Sequence, residues 1–402
     1  MTHGLNTNMN PSSFILSACR TPIGKFLGAL ADRPAPELGA ACVREALRRA
    51  GVEPGRVDEV IIGNVLSAGV GQAPARQVAL KAGLPPTVAA VTVNKVCGSG
   101  LKAVMLADQA IRAGDAELIL AGGIESMSQA PHLVKGGRSG FKLGDQKLID
   151  SMIHDGLWCA FENWHMGSAA EHTAKRHGVS RADQDAFSVE SHRRAVAAAD
   201  AGRFKTEIVA ISTSSGASSG PVIADEGPRR DVSLERLAKL KLVFDATAGS
   251  VTAGNSSMIS DGAAAVVVAS EAAVQRVFAK PRARIVASAT AGVEPRDLFI
   301  APVLAVRRVL EKAGMRPDQI DLYEINEAFA AQMIACIREL GLDFARVNVH
   351  GGAIALGHPI GASGTRVLVT LLHALEQTGG RFGLASLCLG GGNAVAMIVE
   401  RV

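Results

Sequence analysis

Thr92-Val93-Asn94-Lys95-Val96-Cys97-Gly98-Ser99-Gly100-Leu101 reads as a strand that breaks at a turn of small residues and re-enters as a helix. Val91 to Val96 alternates apolar and polar side chains, the period of a half-buried strand. From Leu101 to Ala113, Leu101, Val104, Met105, Ala107 and Ile111 recur at helical spacing. The order strand, turn, helix puts Cys97 at or near a helix N-terminus. There, unpaired backbone N–H groups favour a thiolate and can hold an oxyanion. Glycines on either side of Ser99 let a substrate approach without meeting side chains. A buried packing cysteine would look the same locally. The choice depends on what the rest of the chain brings to this turn.

Outward from the turn, the first half alternates strand and helix. Phe14 to Ala18 is a short strand, Pro36 to Gly51 a helix with Pro at its start and Gly at its stop, and Val60 to Leu66 a buried strand. The loop Ser67 to Pro74, a helix from Ala75 to Ala82, the Cys97 unit, and a strand Glu117 to Ala121 closing on Gly122-Gly123 follow. This rhythm predicts a parallel or mixed sheet covered on both faces. From Ser126 to about Ser257 it changes: Gly136 to Gly144 and Ser212 to Gly220 are loop-like, and Ser180 to Ala201 is a long polar helix. This stretch reads as an insertion over the sheet. Alternation returns with the strand Ala263 to Ala269 and a second series from Arg284 onward.

The second series echoes the first. Val57-Asp58 before a strand matches Ile320-Asp321 before Leu322 to Ile325. Thr92-Val93-Asn94 with its turn and helix matches Val347-Asn348-Val349, a glycine-rich turn and the helix from Ser363. Glu117 to Gly123 matches Phe382 to Gly392. An internal duplication about a pseudo-twofold follows, which brings the Cys97 turn beside its counterpart at the carboxyl ends of strands.

That counterpart is His350-Gly351-Gly352-Ala353-Ile354-Ala355-Leu356-Gly357-His358-Pro359-Ile360-Gly361-Ala362-Ser363-Gly364. A histidine on such a loop can take a thiol proton; His358 is the candidate, and His350, on the strand side, reads as structural. Leu387-Cys388-Leu389-Gly390-Gly391-Gly392 sets a second cysteine beside three backbone amides, either a packed turn or a general base next to an oxyanion site. Asn326, between a strand and a helix, is either a helix N-cap or a polar group of the same site.

Composition excludes several classes. With 402 residues the chain can bury a large core in two or three lobes. The net charge of +4, with no interleaving of aromatics and basic residues, does not point to nucleic acid. The six cysteines form no CxxC pair, which argues against a disulfide framework or a cysteine zinc site and for a reducing, cytoplasmic compartment. No HExxH occurs among the ten histidines, and no metal is expected. Met1 to Pro11 has no h-region and is expected to be a short disordered tail. The uncharged run Leu384 to Val399 is too short and glycine-broken to span a membrane.

NKVCGSG (Asn94 to Gly100), GGIESMS (Gly122 to Ser128), HMG (His165 to Gly167), TAGNSS (Thr252 to Ser257), NEAFA (Asn326 to Ala330), GGAIALGHPIGASG (Gly351 to Gly364) and CLGGG (Cys388 to Gly392) occur in this order. Through them the chain from Phe14 to Val402 resembles the thiolases, most closely the biosynthetic type. The resemblance implies an α/β fold, the duplicated five-layered thiolase sandwich with an inserted loop domain. It divides the chain into 12–126 with 258–280, an inserted 127–257, and 281–402. It implies joining of two acetyl-CoA to acetoacetyl-CoA and CoA, and the reverse thiolysis, through an acyl-cysteine. Cys97 would be the nucleophile, His358 its base and Cys388 the base for the α-proton. Asn326 would hold a water on the enolate, and the amides of Cys97 and Gly390 would take the oxyanion. His165 and Met166 would shape the acyl and pantetheine pocket. Leu157, Phe244, Ala253, Ser257, Ala328 and Phe329 would line the tunnel, and Arg229 would face the CoA nucleotide. Coenzyme A enters as substrate and product with no other cofactor, and a homotetramer is implied. The chain departs from the pattern at Trp164 (usually Tyr), Arg236 (often a small hydroxyl residue) and Lys241-Leu242 (usually Arg-Pro). A broader-range 3-ketoacyl-CoA thiolase of fatty-acid degradation and a non-enzymatic thiolase-like lipid carrier are the alternatives.

Overall fold

The computed structural model describes residues 12–212 and 220–402. Met1 to Pro11 and most of the Ser212 to Gly220 loop lie outside the described residues. Labels below number strands of four or more residues and helices of eight or more. After β1 (Ser13–Arg20) comes α1 (Ala35–Ala50), which carries Pro36 in its first turn and ends at Gly51, whose φ of 63° suits a left-handed cap. β2 (Glu59–Gly63), α2 (Pro74–Lys81), β3 (Ala89–Val93), α3 (Ser99–Ala113) and β4 (Leu118–Ser126) follow. The next long segment holds α4 (Met166–Arg176) and α5 (Arg181–Asp200), the latter opened by a capping box between Ser180 and Asp183. It returns to the sheet at β5 (Ser260–Ser270). The second half runs β6 (Ala283–Gly292), α6 (Ala301–Ala313), β7 (Leu322–Ile325), α7 (Ala330–Leu340), α8 (Ser363–Thr378), β8 (Phe382–Leu389) and β9 (Asn393–Arg401).

These strands hydrogen-bond in the order β7-β8-β9-β6-β1-β5-β4-β2-β3. β2 is parallel to β3 and β4, and β7 to β8, while β1–β5, β5–β4, β6–β9 and β9–β8 are antiparallel. The pattern β1-β5-β4-β2 therefore repeats as β6-β9-β8-β7. Among the described residues, the two halves join as a sheet only through Phe14↔Arg284 and Ile15↔Ala283.

Side-chain alternation then builds five layers. On β5, Ala264, Val266 and Val268 face a core shared with α3 and α8, while Ala263, Ala265 and Val267 face α1 and α2. On β9, Val395, Met397 and Val399 point to the same middle core, and Ala394, Ala396 and Ile398 to α6 and α7. Strands buried on both faces read as continuous apolar runs, which is why β5 and β9 show no polar alternation. The middle layer, α3 against α8, carries the Cys97 turn and the loop of His358 on its two N-termini.

Several strand ends differ from the sequence reading. β3 stops at Val93, because Asn94 Oδ1 takes the Val96 N–H at 2.9 Å and Val96 adopts a φ of 46°. β2 stops at Gly63, because the N–H groups of Val65 and Leu66 turn to the Glu125 carboxylate. β4 runs on through Gly122-Gly123 to Ser126, paired residue by residue with β5. The strand expected at Val347 to Val349 is reduced to a single bridge between Tyr323 and Val347. The second half therefore closes one strand short of the first. The run Leu384 to Val399 forms most of β8 and of β9, and no helix among the described residues is long and apolar enough to cross a membrane.

Candidate functional site

Cys97 sits two residues ahead of α3, whose N-cap is Gly98. The turn is knit by its own side chains: Ser99 Oγ accepts from Lys95 N at 2.8 Å and donates to Val96 O at 2.6 Å. A valine with φ of 46° immediately before the cysteine is a strained backbone of the kind held at functional sites. The flanking glycines serve packing rather than substrate access. A Cβ on Gly98 would meet Leu389 at 2.6 Å, and one on Gly100 would meet Thr365 Oγ1 at 2.7 Å.

The Cys97 side chain is half-buried and opens onto a cavity of about 550 Å³. Burial pushes its thiol up to about 12; the N–H groups of Gly390 and of Cys97 itself, facing the sulfur, pull it back only in part, and the Glu125 charge adds to the rise. Proximity to the helix N-terminus therefore does not yield a resting thiolate, and the thiol needs a base. His358 lines the same cavity and is 6% exposed. Burial, and then Arg366, lowers its imidazole to about 3, so the ring is neutral. Ser363 Oγ lies 2.6 Å from His358 Nδ1 and donates to Pro359 O at 2.9 Å. A hydroxyl has one proton, so Ser363 accepts from Nδ1–H, and Nε2 keeps the lone pair a base requires.

Cys388, near the end of β8, is 2% exposed and lines the cavity with Gly390. Burial holds its thiol well above the usual range, with the Cys97 and Cys336 charges adding to the effect. Asn326 is fully buried and is no helix cap: α7 begins at Ala330. Its Nδ2 lies 3.4 Å from His358 Nε2 and 3.5 Å from Nδ1, so Asn326 meets the histidine without itself lining the cavity. His350 packs edge-on to Phe204 at 6.0 Å and is not on that wall.

The nine positions proposed for acyl and CoA contacts all face the cavity. Leu157, His165 and Met166 come from the segment around a π-helical turn (Met152–Leu157) and the start of α4. His165 Nδ1 accepts from Gly167 N at 3.0 Å, capping α4, and its ring stacks on Phe244 with centroids 4.8 Å apart. Arg229, Ala253 and Ser257 come from the later part of the segment, and Ala328 and Phe329 from the β7–α7 connection. Arg236 instead pairs with Asp231 on the surface, and Lys241 and Leu242 do not face the cavity.

Other residues were not singled out from the sequence. His192 lines the cavity from α5, its Nδ1 accepting from Arg229 N at 3.1 Å. Met127, Met152 and Ile360 close the wall near Cys97. Glu125, fully buried, accepts from Asn64 Nδ2 at 2.8 Å, Leu66 N at 3.1 Å, Val65 N at 3.2 Å and Gly361 N at 2.9 Å. It ties a first-half loop to the loop of His358. Glu125 and Ser363 stand inside quoted motifs, which was the available signal; nothing local marks His192, a lone histidine on a polar helix. Among the described residues, no three His, Cys, Asp or Glu side chains are grouped to hold a metal ion.

Comparison with known proteins gives a consistent result. The family model described as thiolase, N-terminal domain, matches residues 13–272, and that described as thiolase, C-terminal domain, matches 279–401. The chain is 55% identical over 390 residues to an acetyl-CoA acetyltransferase of Pseudomonas aeruginosa, covering 96% of this chain and 98% of that one. It is 54% identical to an acetyl-CoA acetyltransferase of Cupriavidus necator, over 96% of this chain and 98% of the relative. The crystal structure of the Bacillus anthracis acetyl-CoA acetyltransferase superposes with a TM-score of 0.96 at 40% identity, covering 98% of this chain and 100% of that one.

Proposed function

The chain belongs to the thiolase family, and from that membership we propose that it is an acetyl-CoA C-acetyltransferase, joining two acetyl-CoA to acetoacetyl-CoA and CoA and running the reverse thiolysis. The observation that carries the reading is one cavity shared by Cys97, His358 and Cys388, with the Gly390 N–H facing the Cys97 sulfur.

In the first half-reaction His358 Nε2 takes the Cys97 proton as the sulfur attacks the thioester carbonyl. The amides of Cys97 and Gly390 receive the oxyanion, the carbon–sulfur bond to CoA breaks, and CoA leaves with the proton of Cys388, so that Cys388 becomes a thiolate while His358 keeps the proton on Nε2. Such donors are worth most in a dry site, and this one is largely buried. In the second half-reaction Cys388 removes the α-proton of a second acetyl-CoA. The enolate, held by His358 Nε2–H and by a water carried on Asn326, attacks the acetyl carbon; the carbon–sulfur bond to Cys97 breaks, and the leaving Cys97 sulfur takes back the proton from His358. His165, Met166, Leu157, Phe244, Ala253, Ser257, Ala328 and Phe329 form the acyl and pantetheine tunnel, with Arg229 toward the CoA nucleotide. No cofactor beyond CoA enters this chemistry.

The domain division we propose is 12–126 with 258–280, 127–257, and 281–402. A homotetramer is supported by exposed Phe141, Leu143 and Leu148 on the loop after β4, and by the edge strand β3, whose Ala89 and Val91 are exposed. Six free cysteines support a reducing, cytoplasmic location and a place in fatty-acid metabolism follows from the substrates.

Peptide mass mapping after brief exposure to acetyl-CoA tests the reading. Acetyl groups should appear on Cys97 alone, labelling should fall with acyl chain length, and Cys97→Ala should abolish both labelling and thiolysis. Cys388→Ala should still label at Cys97 but form no acetoacetyl-CoA. Thiolysis surviving in Cys97→Ala would refute the nucleophile; equal labelling by long chains would indicate a broad-range thiolase.

A further inference from the structure

Behind His358, away from the cavity wall, lies a buried guanidinium. Arg366 is 1% exposed, its Nη2 donates to Asn326 Oδ1 at 3.5 Å, and its Nη1 stands 3.7 Å from Glu324 Oε2. Arg366 Nε and Nη1 and Glu324 Oε1 have no hydrogen-bond partner among the described residues. A buried ion pair this loosely satisfied does little for stability. Its position is more informative. Arg366 and Ser363 are three apart on α8 and so share one face of the helix. Ser363 holds His358 Nδ1, and Arg366 holds Asn326.

An amide side chain can present either its oxygen or its nitrogen to a neighbour. A guanidinium has donors only, so the end of Asn326 that faces Arg366 must be Oδ1. The Nδ2 end is thereby turned toward His358, where it lies 3.4 Å from Nε2 and 3.5 Å from Nδ1. With the amide reversed, an oxygen would face the imidazole lone pair and no donor would remain on that side.

We propose that Arg366 is a positioning residue for the condensation half-reaction, setting the polarity of the Asn326 amide, while Ser363 sets the tautomer of His358 from the same helix face. The inference rests on the thiolase reading above. It assigns the orienting role of Arg366 to condensation alone; the charge by which Arg366 also lowers His358 is kept in an Arg366→Lys variant.

The test separates the two half-reactions in Arg366→Lys, Asn326→Ala, the double variant and Asn326→Asp. Cys97 acetylation is followed by mass spectrometry and acetoacetyl-CoA formation by steady-state kinetics. Lysine keeps the charge but loses the planar fork. Arg366→Lys should acetylate Cys97 at close to the parent rate, while the condensation kcat falls roughly ten- to a hundredfold, the scale on which orienting partners act, with KM little changed. The double variant should be no slower than Asn326→Ala alone, because one residue acts through the other. Asn326→Asp leaves Arg366 a partner and removes the donor end; it should lose condensation by a much larger factor than acetylation, whatever the folding of the arginine variants. Equal slowing of both half-reactions in Arg366→Lys, additive losses in the double variant, or normal condensation by Asn326→Asp would each overturn the proposal. Absence of Cys97 acetylation in the parent enzyme would instead overturn the function on which it rests.

Discussion

Cys97 and His358 open onto one cavity and each is held neutral near pH 7, the thiol at about 12 and the imidazole at about 3. Only a thiolate reacts appreciably with an alkylating agent. Iodoacetamide should therefore modify Cys97 slowly at pH 7, and the rate should keep rising from pH 7 to 10. A plateau already reached at pH 7 would reveal a resting thiolate–imidazolium pair and contradict the geometry. Cys97, His358 and Cys388 could be picked out as candidates in the sequence because each lies close to a cluster of glycines, although only Cys97 follows a strand and Cys388 lies within β8. The direction of the Cys97 shift was not legible there. A helix N-terminus can be read from a pattern, whereas the burial that outweighs it comes from Met127, Met152, Leu157 and Ile360, which pack with Cys97 from distant segments.

The glycines of the two motifs report on how elements cross. A Cβ on Gly364 would collide with Leu101 N, and one on Gly100 with Thr365 Oγ1 at 2.7 Å. α3 and α8 thus meet at their N-termini, backbone to backbone, and this contact brings the Cys97 turn to the loop of His358. Gly364→Ala should cost about 1–3 kcal/mol, the usual penalty of overpacking, or more where backbone must yield. Urea unfolding with midpoint and slope both measured checks this; unchanged stability would mean that the helices part without strain. The helices read from the sequence, α1, α2, α3, α5 and the start of α8, agree to within a residue or two, because proline, glycine and capping residues mark their ends locally, whereas α4 and α6 were not picked out. Strand ends were read less well. β2 stops where Glu125 captures two amides, and β4 continues through two glycines because β5 pairs with them. Both outcomes depend on partners far along the chain.

For the molecule as a whole, the buried titratable groups predict an unusual dependence of stability on pH. His358 and His373 are lowered to about 3 and His192 to about 4, in each case mainly by burial. Below about 6.5, the ordinary histidine value, the unfolded chain binds protons that the folded one refuses. This stability is present above pH 6.5 and is lost as pH falls toward 4 and 3. Glu125 and Glu324 are raised by burial to about 7 and about 8. The unfolded chain releases their protons first, so their contribution is present below about 4.5 and is lost as pH rises through 7 and 8. The two sets oppose one another between about 4.5 and 6.5. With three histidines set against two glutamates, the melting temperature should climb gently across that window, drop steeply below it, and decline from 6.5 to 8. A melting temperature that climbs steadily from pH 5 to 8 would contradict this.

Period, capping and turn chemistry are local, and so the amino-acid order alone determined the alternation of elements, the internal repeat, the place of the Cys97 turn and the loop that is its counterpart in the second half. Proximity is not local. Folding brought residues 97, 326, 358 and 388 to one place, through the contact of α3 with α8 in the middle layer. It also set what each group does there, because burial and neighbouring charge are sums over segments hundreds of residues apart. Arg366 illustrates the difference. In the sequence it is one more arginine in a helix, and its bearing on Asn326 exists only once α8 is packed behind His358.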